Sequence, residues 1–80
     1  MEASIPQGYS SSQSITQYNK GCTMAELDRR LRAGWVMMGY EMDSNNNEHF
    51  YLQRGKHACE IELKPNGYGY VHTDTKTVRI

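Results

Sequence analysis

Three histidines, two cysteines and a few well-spaced carboxylates are the side chains here that could transfer protons, attack an electrophile or hold a metal. Glu60 and Glu62 lie two apart, as do Tyr70 and His72, and a period of two places each couple on one face of a β-strand. With His49, they would assemble two histidines and two glutamates across neighbouring strands, a donor set for a metal or for acid–base work. The same residues are also ordinary cross-strand partners, worth roughly a few tenths of a kcal/mol a pair. That simpler reading is adopted, so no metal and no cofactor is expected. His57 and Cys59 share a strand face, but no second ligand couple matches them, and Cys59 reads as a small buried hydrophobe. His72 and Asp74 have neither a nucleophile elbow nor a Gly-rich phosphate loop beside them, so no catalytic residue is expected.

Binding is the chemistry that remains. The stretch GYGYVHT (67–73) sets Tyr68, Tyr70 and His72 at alternate positions, and Trp35 and Tyr51 add aromatic surface elsewhere. Whether this stripe faces inward depends on the turns. In Lys64-Pro65-Asn66-Gly67-Tyr68 proline excludes a two-residue type I′ loop. A type I turn with Gly67 in the left-handed region instead pairs Lys64 with Tyr68, Glu62 with Tyr70 and Glu60 with His72. In Arg54-Gly55-Lys56-His57 a leading glycine suits a type II′ turn and pairs Leu52 with Cys59, Phe50 with Ile61, Tyr51 with Glu60 and His49 with Glu62. A loop over 43–47 (DSNNN) between Met42 and Glu48 sets Tyr40 against Phe50 and Met38 against Leu52.

These registers agree on two faces. Val36, Met38, Tyr40, Phe50, Leu52, Cys59, Ile61, Leu63 and Val71 form one, to be covered by Leu27 and Leu31. Trp35, Met37, Glu41, His49, Tyr51, Glu60, Glu62, Tyr68, Tyr70 and His72 form the other. A slip of one residue in the Pro-Asn-Gly turn would exchange them.

The elements behind these registers are a helix and four strand-like runs. Thr23 with Glu26 three residues on matches a capping box. Met24, Leu27 and Leu31 follow at helical spacing, Arg29, Arg30 and Arg32 load the last turns, and Gly34 supplies the stop. A helix is expected over about 24–33. Residues 35–42, 48–54, 57–64 and 68–73 then read as an antiparallel meander. Residues 77–80 could add an edge strand, as could residues 14–19 (SITQYN). Residues 1–13 read as a flexible polar arm, leaving 14–80 as one domain, and Met24 could serve as an alternative start. The fold class is α+β: a single short helix on one face of a four-stranded antiparallel meander, with an extra edge strand from either end.

Eighty residues allow one small core, which supplies about 3–5 kcal/mol. Nine basic and nine acidic residues cancel, without the basic excess of a nucleic-acid binder. Two distant cysteines make no disulfide framework, and neither a signal peptide nor a membrane span is legible. A cytoplasmic location is expected.

The segment LDRRLRAGWVMMGYEM…HFYLQRG, within residues 27–55, resembles small bacterial and phage domains of unknown function. In these an amphipathic helix ends in Gly-Trp and runs into strands. The resemblance implies the helix-plus-sheet arrangement and carries no catalytic residue across. By size and lack of catalytic motif the chain is also similar, as a class, to small phage accessory proteins such as anti-CRISPR proteins, which implies a host-cytosol setting and inhibition by occlusion.

The expectation is thus a non-enzymatic protein-binding module that inhibits or regulates a host protein complex by steric occlusion. Trp35, Tyr51, Tyr68, Tyr70 and His72 are its contact residues, with Glu60 and Glu62 as polar companions. Self-association as a homodimer, through the open face or an edge strand, competes with a foreign partner. The alternative is a single-stranded nucleic-acid or nucleoprotein binder using the same aromatics with Arg29, Arg30 and Arg32.

Overall fold

The computed structural model describes residues 11–80. Helix α1 (Ser11–Arg32) leads into strands β1 (Val36–Met42), β2 (Glu48–Arg54), β3 (His57–Leu63), β4 (Gly69–His72) and β5 (Thr77–Arg79). The strands form one antiparallel sheet in the order β1-β2-β3-β4-β5. The class is α+β as expected, but the sheet has five strands, the fifth coming from the C-terminal segment.

Two of the three turns set the register as their sequences dictate. Gly67 adopts φ +89°, its N–H donates to Lys64 O at 2.9 Å, and Lys64 N–H donates to Tyr68 O at 2.9 Å. Glu62 therefore pairs with Tyr70 and Glu60 with His72. Gly55 at φ +61° closes β2–β3 with Leu52 opposite Cys59 and Phe50 opposite Ile61. In the longer loop, Asp43 Oδ1 accepts from the N–H groups of Asn45 (2.8 Å) and Asn47 (3.0 Å). Asn46 takes the left-handed φ of +66° that asparagine tolerates better than most residues.

The third register keeps Tyr40 opposite Phe50, as expected, and departs only beyond Gly39. A β-bulge between Met37 and Gly39 leaves Met38 unpaired, so that Met37, not Met38, lies opposite Leu52. One extra residue reverses the alternation of everything before it. Met37 and Trp35 thereby move to the helix side, and Val36 and Met38 turn outward. Trp35 packs on the core between the guanidinium groups of Arg30 and Arg54, 5.5 Å and 5.0 Å from its ring centre.

The helix differs most. It begins at Ser11 rather than near residue 24, so 14–19 is helix and not an edge strand. Of the arm expected over 1–13, residues 11–13 are helical and 1–10 lie outside the described residues. Thr23 is an interior residue, not a cap. It is 1% exposed and its hydroxyl donates to Asn19 O one turn back at 3.1 Å. Glu26 accepts from Arg29, and from Arg30 Nε at 2.8 Å. Tertiary contact explains the extra turns: Thr16, Asn19 and Thr23 seat on the two glycines that open β4. A Cβ on Gly69 would stand 2.1 Å from Thr23 Oγ1, and one on Gly67 would stand 2.3 Å from Thr16 O. The helix stops where Gly34 was expected to stop it. Trp35 N–H donates to Arg30 O and Gly34 N–H to Leu31 O, with Gly34 at φ +98°, the hydrogen-bond pattern of a Schellman cap.

The core is Leu27 with Phe50, Leu52, Cys59, Ile61, Leu63 and Val71, and Trp35 and Ile80 pack against it. Three of its expected members are exposed: Val36 at 58%, Met38 at 63% and Tyr40 at 51%. The bulge turns the first two outward. Tyr40 keeps the core side and touches Phe50 with ring centres 5.0 Å apart, but it stands beyond the reach of the helix.

Candidate functional site

The face of the sheet away from α1 carries most of the expected site residues. Tyr51, Glu60, Glu62, Tyr70 and His72 sit on it in β2, β3 and β4, each half-buried by its neighbours. Tyr68, from the turn preceding β4, adjoins them with the Arg79 guanidinium 5.0 Å from its ring centre. Trp35 does not belong here, for the reason given above.

Backbone partners are not the bonded partners on this face. His49 is paired with Glu62 and His72 with Glu60 in the ladder. Their side chains reach diagonally instead: His49 Nδ1 bonds Glu60 Oε2, and His72 Nε2 meets Glu62 Oε1 at 2.8 Å. Sheet twist brings one diagonal of each pleat within side-chain reach. Lys64 Nζ reaches Glu62 Oε2 at 3.2 Å and lies 5.7 Å from the Tyr70 ring centre. Tyr70 stacks on His72, and His49 on Tyr51, with centroids 6.4 Å and 6.3 Å apart.

His49 is the most constrained of these groups. Its Nε2 meets Asp43 Oδ2 at 2.9 Å while Nδ1 meets Glu60. A neutral ring donates from one nitrogen only, so a carboxylate on each side favours the doubly protonated ring. The hydrogen bond to Asp43, then that to Glu60, raises the His49 pKa to about 9 against the opposing effect of burial. Asp43 is held well below the usual carboxylate range, chiefly by His49 and then by the Asn47 N–H. For Glu62, burial pushes upward, but hydrogen bonds from His72 and Lys64 outweigh it and the pKa falls. Burial, followed by the charges of Glu41 and Glu60, raises the Tyr51 phenol.

The arrangement supplies fixed charge and flat rings. Both His49 nitrogens are engaged, and His72 is held between Glu62 and Thr77, whose Oγ1 is 2.8 Å from Nδ1. Among the described residues, no three His, Cys, Asp or Glu side chains are placed to hold a metal ion. Met38, turned outward by the bulge, joins Tyr51, Gln53, Glu60, His72 and Asp74 around a shallow groove of about 360 Å³.

Three contributors escaped the sequence reading of this face: Asp43, Lys64 and Met38. Asp43 had a visible signal, since an Asp opening a run of Asn is an Asx-turn pattern that fixes the carboxylate near the following strand. The bulge that delivers Met38 had none.

The helix arginines lie on the other side of the sheet. Arg29 and Arg30 are paired with Glu26, and Arg32 Nε with Asp28 at 2.9 Å. Arg30 also approaches Cys59 Sγ at 3.7 Å, tempering the upward push that burial gives this thiol. No helix among the described residues is long and apolar enough to cross a membrane. Set against family models, curated protein sequences and solved structures, the chain matches none.

Proposed function

We propose that this chain is a non-enzymatic protein-binding module that docks its helix-free sheet face on a partner protein and acts by occlusion or bridging. The observation that carries this reading is the state of that face: no element among the described residues covers it, yet cross-strand hydrogen bonds, ion pairs and ring stacking hold its side chains. Side chains fixed before contact lose little freedom on binding, and tyrosine offers wide contact area for few rotatable bonds. Tyr51, Tyr68, Tyr70 and His72 are the contact residues, with Glu60 and Glu62 as their polar companions. The accessory role suggested by resemblance would use this face as the occluding plate. A polyanion suits it less well, because Glu41, Asp43, Glu60 and Glu62 share the face with the rings while the helix arginines point elsewhere.

A photo-crosslinking residue in place of Tyr70 should capture one host protein, and a Tyr51→Ala/Tyr70→Ala variant of unchanged fold should fail to co-purify it. Recovery should persist at about 0.3 M salt, where exposed charges are largely screened. Recovery of the same proteins by wild type and variant would remove the proposal. So would capture of nucleic acid with a steep loss in salt.

A further inference from the structure

The helix leaves part of its own side of the sheet bare. α1 rests on β3 and β4, and its flank bearing Glu26 and Arg29 borders a groove with Val71, Val78 and Ile80 beside β5. At about 100° per residue, Met24 and Leu31 occupy the opposite flank, toward β2 and β1. On that same side of β1 stand Met37, Tyr40 and Met42. All five are exposed, from 38% at Leu31 and Met37 to 53% at Met42, and Tyr40 touches Phe50 of the core. Exposed apolar side chains grouped on one side in this way, as a shelf, mark an interaction surface.

The two edges of the sheet are unlike. β5 is three residues long, carries Arg79 and follows Lys76, and short charged edges resist further pairing. β1 runs seven residues, VMMGYEM, with no proline, no lysine and Glu41 as its one charge. Its bulge at Met38 disturbs the first half and leaves Gly39–Met42 regular.

We infer that β1 and the adjoining shelf form the interface of a twofold dimer in which β1 of one copy pairs antiparallel with β1 of another. A twofold axis presents each strand's unpaired N–H and C=O groups to an identical strand, and it lays shelf beside shelf. Glu41 faces away from the shelf, and a formal net charge of zero leaves two copies without long-range repulsion. At about 200 Å² for a fully exposed large side chain, the five shelf residues bring roughly 900 Å² to a pair, the size of a small, reversible interface. The dimer is a continuous ten-stranded sheet with both helices on one side and two helix-free faces in one plane.

Sedimentation equilibrium of the full chain over about 5–200 μM tests this, with a micromolar dissociation constant expected. Tyr40→Lys/Met42→Lys should weaken association at least ~10-fold, about 1.4 kcal/mol, with unchanged circular dichroism. Val78→Lys on the other edge and Tyr70→Ala on the outer face should leave it intact. Amide exchange in wild-type protein gives a reading that needs no variant: Gly39–Met42 should slow as concentration rises. A chain monomeric throughout overturns the inference, as does association lost through Val78 or Tyr70 but not through β1. Slowing of the β1 amides only on addition of an apolar peptide would assign the edge to a foreign strand and overturn it equally.

Discussion

His49 carries a charge at neutral pH that organises its surroundings. Its pKa rises from 6.5 to about 9 because carboxylates flank both ring nitrogens. A raised histidine pKa contributes stability that is fully present below about 6.5 and is lost as pH rises through about 9. The depressed Asp43 works in the opposite sense: its contribution is present above its ordinary value of 3.8 and is lost as pH falls through its lower folded value. Stability should therefore crest between these two ordinary values and decline toward pH 9. A urea-midpoint series against pH should show that decline, and His49→Phe should flatten it. An NMR titration of the His49 ring with a midpoint near 6.5 would contradict the whole account. The involvement of His49 and the two glutamates was legible from two turn sequences. Their diagonal bonding was not, because register says which residues are opposite while twist decides which diagonal closes.

At the scale of elements, the glycines of GYG (67–69) tie α1 to β4. Gly69→Ala would drive a methyl into Thr23, and overpacking of this sort costs about 1–3 kcal/mol. Thr23→Ala should recover part of that loss, so a double-mutant cycle by chemical denaturation should give a favourable coupling. Additive losses would mean that the helix does not lean on Gly69. This seat also explains why the start of the helix was misread. A Thr followed three residues later by Glu matches a cap, yet Thr23 lies mid-helix because its small buried side chain fits against the turn at Gly67, 44 residues away, and against Gly69 beyond it. Nothing local announces such a partner. The hairpins were legible because Pro65, Gly55 and Gly67 constrain their own turns. The bulge at Met38 was not, since VMMGYEM alternates no better with the extra residue than without it, and one missed insertion misplaced Trp35, Met37 and Val36 together.

For the molecule as a whole, one helix is the lid that the described residues supply to a five-stranded sheet. A chain begun at Met24 would lose Thr16, Asn19 and Thr23, and with them the cover over the opening of β4. Since a core of this size supplies only about 3–5 kcal/mol, that shortened chain should show no cooperative unfolding transition by circular dichroism; a transition like that of the full chain would show that the early turns are dispensable. The strand order carries a further consequence, in time rather than in space. Each strand hydrogen-bonds to the one made just before it, so the sheet can assemble as it leaves the ribosome. The helix, made first, packs on strands made third and fourth. Between the synthesis of Arg32 and that of His72 lie about 40 residues, or roughly 2–8 seconds of translation. Until β3 and β4 have both emerged, the face bearing Thr23 and Leu27 lacks its full seat, and it is a greasy surface open to a chaperone or to a neighbouring nascent chain.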